Sequence, residues 1–175
     1  MPGSMNAAAV SIEPVRSDAD AAAASALARA FFAYMRATYP EQAATIDAYL
    51  LDQDFEGQLA AFRDHFNPPK GECLLARVDG EPAGIVMLKP YTPGVCELNR
   101  MYVTAAARGR GIGRALCETL IARARDLGYR AIRLDTLNAR VEALPLYRSL
   151  GFLPEAERPA FAARDPGIVC LRRPL

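Results

Sequence analysis

The amino-acid sequence predicts an α/β protein in which helices cover a mixed β-sheet. Residues 18–66 carry apolar side chains at helical spacing, and from Cys73 onward the apolar period falls to two, as in strands. An amphipathic segment then separates a strand ending at Val103 from one starting at Ala131, which is the pattern of a parallel crossover. The predicted order is strand, helices, three strands, helix, strand, helix, strand.

Length and charge narrow the class of protein. With 175 residues, 51% of them hydrophobic, the chain can bury one core, and we expect one domain over residues 5–175. We interpret Met1-Pro2-Gly3-Ser4 as an expression scar. A net charge of +1 argues against nucleic acid or an anionic membrane as partner. No apolar run reaches the roughly 18 residues that span a bilayer. The cysteine pattern, which suits a reducing compartment, leads us to expect a cytoplasmic protein.

The cysteine pattern argues against a metal site. Cys73, Cys96, Cys117 and Cys170 are widely spaced, and His65 is the only histidine. A zinc site needs clustered cysteine or histidine ligands, so we expect no metal. Three of these cysteines lie in apolar runs, which favours buried thiols in a reducing compartment over a disulfide framework.

The first third of the chain is predicted to be one strand followed by helices. Residues 10–15 alternate like a strand, and Ser17 can cap an alanine-rich helix that runs to about Tyr39. Pro40 ends that helix or starts the next. Apolar side chains recur at helical spacing over residues 50–66, up to a break at Asn67-Pro68.

The middle of the chain is predicted to be a hairpin and a third strand. Residues 73–78 and 82–88 flank the Asp79-Gly80 pair, which supplies the positive φ angles of a tight turn. The next strand ends at Val103. Strict alternation in it places Glu97, Asn99, Met101 and Val103 on one face, with Glu97 facing the interior or a ligand.

The last third completes the sheet. A helix over residues 113–127 carries its leucines on one side and ends at Gly128. A strand over 131–136, a short helix over 143–150 and a final strand over 168–171 follow.

A glycine- and arginine-rich turn is the clearest functional signal. Three glycines alternate with other residues in the run Arg108-Gly109-Arg110-Gly111-Ile112-Gly113-Arg114, which opens a helix. Such a turn lets the backbone approach an anion, and the helix directs its free N–H groups to the same point. We therefore predict a diphosphate site.

Three other interpretations of this turn are weaker. A solvated loop would not need strand, glycines and amphipathic helix together. A nucleoside-triphosphate loop needs a Gly-Lys-Ser/Thr that is absent here. A dinucleotide site is favoured by Asp135 at the end of the next strand, but the last glycine of that motif is missing.

Two motifs make the chain resemble the GNAT superfamily of N-acetyltransferases. Arg108-x-x-Gly111-x-Gly113 is similar to its acetyl-coenzyme A motif, and Leu146-Tyr147-Arg148-Ser149-Leu150-Gly151-Phe152 to its second signature. The resemblance covers about residues 73–152. It implies a twisted, mostly antiparallel sheet of six to seven strands with helices on both faces, whose fourth and fifth strands are parallel and splay apart.

The resemblance also implies acetyl-coenzyme A as co-substrate. The turn would hold its pyrophosphate, and a backbone N–H of the fourth strand would polarise the acetyl carbonyl. The coenzyme-binding residues implied in this way are Met101, Tyr102, Val103, Arg108, Gly109, Arg110, Gly111, Ile112, Gly113, Arg114, Asn138 and Tyr147. The asparagine usual in the family is replaced by Arg140, and Pro145 must lie in the first turn of the helix that carries Tyr147.

The resemblance assigns the catalytic roles to two residues. Tyr147 would protonate the departing thiolate; the alternative is a tyrosine whose ring only packs on the sheet. Glu97 matches the position of the general base in some members; the alternative is a carboxylate paired with Arg100 or Arg133.

The acceptor is predicted only by class. Acceptor choice in this fold comes from segments here at about 31–66 and 153–167, which resemble the family least. A small primary amine or amino-acid derivative is the default acceptor, attacked directly in a ternary complex. Two alternatives stay open: a non-catalytic acyl-coenzyme A sensor, and a transferase that uses a longer acyl donor. The sequence also leaves open whether the chain forms a homodimer.

Overall fold

The computed structural model describes residues 7–175, so the predicted expression scar lies outside the described residues. Within that range the chain forms seven strands and six α-helices, and apart from one short strand they follow the predicted order. The strands are β1 (Val10–Pro14), β2 (Glu72–Val78), β3 (Glu81–Thr92), β4 (Val95–Val103), β5 (Ala131–Leu137), β6 (Leu153–Pro154) and β7 (Ile168–Pro174). The helices are α1 (Asp18–Thr38), α2 (Ala43–Asp52), α3 (Phe55–Ala60), α4 (Phe62–Phe66), α5 (Ile112–Asp126) and α6 (Leu144–Ser149).

The strands form one sheet in the order β1-β2-β3-β4-β5-β7-β6. Each neighbouring pair is antiparallel except β4 and β5, which are parallel, as the sequence predicts. These two strands pair only from Val95–Ala131 to Glu97–Arg133 and then separate. Beyond that point the backbone N–H and C=O groups of β4 and β5 do not pair with each other, which leaves an opening at the centre of the sheet.

Helices cover both faces of the sheet. On one face α5 packs on β2, β3 and β4 and buries Leu116 and Leu120; on the other, α1 and the short helices bury Phe31 and Phe66. Fully burying such a side chain stabilises the fold by about 1.5–3 kcal/mol. No helix of residues 7–175 combines the length and apolar character required to cross a membrane.

Local sequence signals explain where the elements begin and turn. The Ser17 Oγ accepts a hydrogen bond of 3.0 Å from the Asp20 N–H, which caps α1 as predicted. Asp79 and Gly80, with φ of 51° and 85°, make the predicted hairpin turn. The two-residue strand β6 was not predicted.

One prediction about β4 is wrong. Asn99 pairs with Met87 and Tyr102 with Ile85, so β4 has one more residue than β3 between these two pairs. This bulge is centred on Arg100, whose φ is 51°. It moves Met101 to the α5 face, where it joins the same cluster as Cys96 and Leu98. Met101 and Val103 therefore do not share a face with Glu97 and Asn99.

Candidate active site

The glycine-rich turn lies between the end of β4 and the start of α5. Gly109 and Gly111 have φ of 78° and 77°, and nothing lies within 4 Å of a Cβ placed on either, so the turn is open to a ligand. Among residues 7–175 no protein acceptor is found for the backbone N–H groups of residues 109–114. These groups and the dipole of α5 make the turn suitable for an anion.

Gly113 has a different role from the other two glycines. Its φ is not positive, unlike those of Gly109 and Gly111. A Cβ here would lie 3.5 Å from the Met101 sulfur and 3.8 Å from carbons of Leu146 and Val103. Gly113 therefore keeps a gap clear between β4 and α6.

The arginines of the turn have protein partners of their own. The Arg108 Nε donates to the Val103 carbonyl at 3.1 Å, and its guanidinium lies 4.6 Å from the centre of the Tyr34 ring. The Arg114 guanidinium donates to the Ser149 Oγ at 2.5 Å. Both arginines shape the loop and place positive charge beside it.

An outer cleft runs from this turn toward the centre of the sheet, with about 800 Å³ of empty space including its mouth. Nine of the predicted coenzyme-binding residues line it: Met101, Tyr102, Val103, Arg108, Gly109, Gly111, Ile112, Gly113 and Arg114. Arg110, Asn138 and Tyr147 are not among its lining residues. A cleft of this size suits a drug-sized ligand.

An inner cavity of about 780 Å³, also counted with its mouth, lies on the α1 face of the sheet. Its walls are mainly apolar and aromatic, from Phe31, Phe32, Tyr49 and Phe161. Met101 and Arg140 line both this cavity and the outer cleft. The two spaces therefore meet where β4 and β5 have separated.

Tyr147 lines the inner cavity, near that junction. It is 2% exposed, and its ring packs at 5.9 Å against Phe152. Burial raises the pKa of Tyr147 above the ordinary value of a tyrosine, although the positive charge of Arg140 opposes the shift. The phenol thus stays protonated at neutral pH. Pro145 lies in the first turn of α6, as predicted.

Glu97 is enclosed by polar partners. Its Oε2 accepts a hydrogen bond from Arg133, and its Oε1 accepts one of 2.8 Å from the Asn99 Nδ2. Arg133 is fully buried and also pairs with Asp135 and, at 3.1 Å, with Glu155. The ion pair with Arg133 is one of the two arrangements that the sequence left open. The role of Glu97 as general base stays a prediction.

The cavity wall formed by β4 and β5 contains buried polar atoms that have no partner. Four such side-chain atoms occur among residues 7–175, and three belong to residues lining the inner cavity: Asn99 Oδ1, Arg100 Nε and Thr136 Oγ1. Leaving a buried polar group without a partner costs about 1–3 kcal/mol. A concentration of such groups on one wall is typical of a binding site.

Asn138 and Arg140 are placed differently from what the resemblance implies. Asn138 is exposed and lines neither space; its backbone N–H donates to the Gly167 carbonyl at 2.8 Å. Arg140 is 8% exposed, and its guanidinium lies 5.1 Å from the centre of the Phe31 ring. Arg140 thus lies where the outer cleft and the inner cavity meet. In the sequence it was noted only because it replaces the asparagine usual in the family.

Sequence reasoning did not find the polar wall of the inner cavity. Arg100 and Thr136 belong to no recognisable sequence motif. Asn99 was noted only because it shares a face of the strand with Glu97. The sequence signal available was the placement of polar residues in otherwise apolar strands.

The cysteines are free and buried, as the sequence predicts. Burial raises the pKa of Cys96, Cys117 and Cys170 to about 12. A raised pKa disfavours the thiolate, so these three cysteines are poor candidates for nucleophiles. Among residues 7–175 no cluster of three or more potential metal ligands is found.

A central opening between parallel strands, with an anion-binding helix start on one side and an apolar cavity on the other, defines the class of acyl-coenzyme A acyltransferases. Residues 29–152 match the Acetyltransferase (GNAT) family, and the chain belongs to that family. The resemblance and the fold class predicted from the sequence are both confirmed.

Several relatives carry the name of N-acetyltransferase. An uncharacterized N-acetyltransferase of Schizosaccharomyces pombe is 34% identical over 69% of this chain and 74% of its own. Human N-acetylaspartate synthetase is 35% identical over 54% of this chain, which spans only 32% of that protein.

Solved structures agree in fold. An acetyltransferase of Bacillus subtilis in complex with CoA is 28% identical, with a TM-score of 0.53 over 62% of this chain and 79% of its own. The PaiA N-acetyltransferase of Thermoplasma acidophilum in complex with coenzyme A is 17% identical, with a TM-score of 0.70 over 95% of this chain and 99% of that one.

Proposed function

We propose that the protein transfers an acetyl group from acetyl-coenzyme A to the primary amine of a small molecule. The observation that carries this proposal is the meeting of the two spaces at Met101 and Arg140, with Tyr147 beside the junction. A ligand in the outer cleft and a second ligand in the inner cavity can then touch each other there. A direct transfer between two bound substrates needs that geometry.

The outer cleft is the proposed site of the coenzyme. The free N–H groups of residues 109–114 would bind its pyrophosphate, and the unpaired edge of β4 would bind the pantetheine amides as an added strand does. The gap kept clear by Gly113 would let the thioester reach Met101. These contacts come mostly from the main chain.

The proposed reaction has two steps. The neutral amine attacks the thioester carbonyl, a C–N bond forms, and a backbone N–H of β4 stabilises the oxyanion. The carbonyl then re-forms as the C–S bond breaks, and Tyr147 gives its proton to the leaving sulfur. Water carries the proton lost by the amine back to Tyr147, which restores the phenol. Removing one oxyanion donor costs about 3 kcal/mol in other enzymes, so the backbone of β4 matters as much as any side chain.

The experiment is a thiol-release assay with acetyl-coenzyme A and a panel of primary amines, together with calorimetry of coenzyme A binding. We expect micromolar coenzyme binding and release that depends on the acceptor. Coenzyme binding without acceptor-dependent release, unchanged in Tyr147→Phe, would instead identify an acyl-coenzyme A sensor. Parallel assays with propionyl- and succinyl-coenzyme A define the acyl length.

A further inference from the structure

Arg100, one of the residues that line the inner cavity, is a buried cation that has no carboxylate partner. Arg100 is 5% exposed, its Nη2 donates to the Gln58 Oε1 at 3.1 Å, and its guanidinium lies 4.9 Å and 5.6 Å from the rings of Phe55 and Phe66. Its Nε has no hydrogen-bond partner. Among residues 7–175 no carboxylate lies within ion-pair distance of Arg100. A buried guanidinium is normally paired with an anion, so the carboxylate of a ligand would complement Arg100.

A net negative cluster lies on the same wall. Arg133 is surrounded by three carboxylates, those of Glu97, Asp135 and Glu155, and Asp135 lines the cavity. This wall of the cavity therefore carries both a positive group and an excess of negative charge. A ligand with both charges, held a short distance apart, complements this arrangement.

Two hydrogen-bonding atoms stand between these charges. The hydrogen bond from the Asn99 Nδ2 to Glu97 fixes the amide so that its Oδ1 stays free to accept. The Thr136 hydroxyl on the facing strand is also without a partner. Both residues are more than nine-tenths buried, at 6% and 8% exposure, and both line the cavity. An amine that donates N–H groups fits these two oxygens.

The rest of the cavity is apolar. Phe31, Phe32, Tyr49 and Phe161 supply aromatic faces, and Ile46 and Ile168 supply aliphatic ones. We infer that the acceptor is an amino acid with a large apolar side chain: its carboxylate faces Arg100, its amine contacts Asn99 and Thr136, and its side chain packs on the aromatic walls. This inference rests on the proposed function and names its acceptor class.

Matched acceptor pairs test the inference. Phenylalanine and 2-phenylethylamine, and leucine and 3-methylbutylamine, differ only in the carboxylate. With acetyl-coenzyme A we expect kcat/KM at least 30-fold higher for the amino acid of each pair. Equal or better turnover of the amine would overturn the inference and leave the proposed function standing.

Variants locate the effect in the structure. Arg100→Met should abolish the preference within each pair by lowering kcat/KM for the amino acid alone, and Arg100→Lys should restore part of it. Arg29→Met, which removes an exposed arginine paired with Glu56, is the control. If Arg100→Met does not fold, Thr136→Val should still raise KM for the amino acid about 10-fold; an unchanged KM contradicts the inference.

A chain without turnover is also informative. If no acceptor releases thiol, the proposed function fails, and calorimetry on the coenzyme A complex then tests the cavity alone. Binding of N-acetylphenylalanine that requires Arg100 and exceeds that of N-acetyl-2-phenylethylamine at least 10-fold supports the inference. Equal binding of the two compounds, or binding of neither, overturns it.

Discussion

The Asn99 Nδ2 donates a hydrogen bond of 2.8 Å to the Glu97 Oε1, two residues earlier on β4. The other oxygen of Glu97 is bound by Arg133, so neither oxygen is free. Glu97 thus orients a neighbour whose amide oxygen lines the inner cavity. Glu97 could therefore act by holding Asn99 in place for ligand binding, or it could act in proton transfer.

Glu97→Gln separates these two roles. We expect the acceptor KM to rise about 10-fold because Asn99 loses a charged partner, with the acid limb of the kcat–pH profile unchanged. Glu155→Gln is the matched control, since it also removes a carboxylate from Arg133 at 3.1 Å but does not contact Asn99. Loss of the acid limb in Glu97→Gln alone would show that Glu97 is the general base.

Gly111→Glu tests the coenzyme site. A carboxylate at this position would repel a diphosphate, and we expect coenzyme A affinity to fall by at least 100-fold in calorimetry. Gly80→Glu is the control for backbone strain, because Gly80 also has a positive φ, 85°, and open space around it, in the β2–β3 turn. Both variants should lose about 1–2 kcal/mol of stability. Equal coenzyme binding by the two would contradict the proposed site.

Tyr147→Phe tests the proposed acid. We expect kcat to fall about 100-fold with coenzyme affinity unchanged. Burial raises the pKa of Tyr147 above 10.0, so the acid form survives alkaline solution and is lost only above that raised pKa. The wild-type kcat should therefore show no alkaline limb below about pH 10. Tyr129→Phe, which removes a hydroxyl that donates to the Lys70 carbonyl, is the control and should keep full activity.

A buried carboxylate away from the site governs acid stability. Glu72 has no exposed side-chain surface and binds Arg16 at 2.7 Å and Arg123 at 2.8 Å. Burial alone would raise its pKa, but the hydrogen bonds from Arg16 and Arg123 outweigh burial and lower it below 4.5.

The sign of the pH effect follows from that shift. Because the folded pKa is lowered, Glu72 stabilises the fold above about pH 4.5, and this contribution is lost as the pH falls through the folded pKa. Glu72→Gln should lower the free energy of unfolding by about 1–3 kcal/mol at pH 7 and by less at pH 3, measured by urea titration. Glu56 forms an exposed ion pair with Arg29, so Glu56→Gln should change the free energy of unfolding little. A loss that is the same at both pH values would contradict the assignment.

The sequence predicted the elements that depend on local signals. The Ser17 cap, the Asp79-Gly80 turn and the amphipathic face of α5 each follow from a few neighbouring residues, and the structure confirms all three. Nine of the twelve predicted coenzyme-binding residues line one cleft, because a single loop carries most of them.

What the sequence could not predict depends on pairing between distant segments. Arg100 gives no local sign of a bulge, since a positive φ is unfavourable for arginine, and only its register against β3 forces it. The inner cavity combines residues from Phe31 to Ile168, and no single motif brings these together. The sequence likewise left open whether Glu97 pairs with Arg100 or Arg133, because that choice depends on the register of β4 against β5.

The last paired residues of β4 and β5, Glu97 and Arg133, are also joined through their side chains. They lie where the two strands begin to separate, with the outer cleft and the inner cavity opening beyond them. How far β4 and β5 diverge beyond this pair determines the width of both the outer cleft and the inner cavity. A substitution in this pair would therefore change the affinities for donor and acceptor together, whereas changes farther along either wall would alter one of them alone.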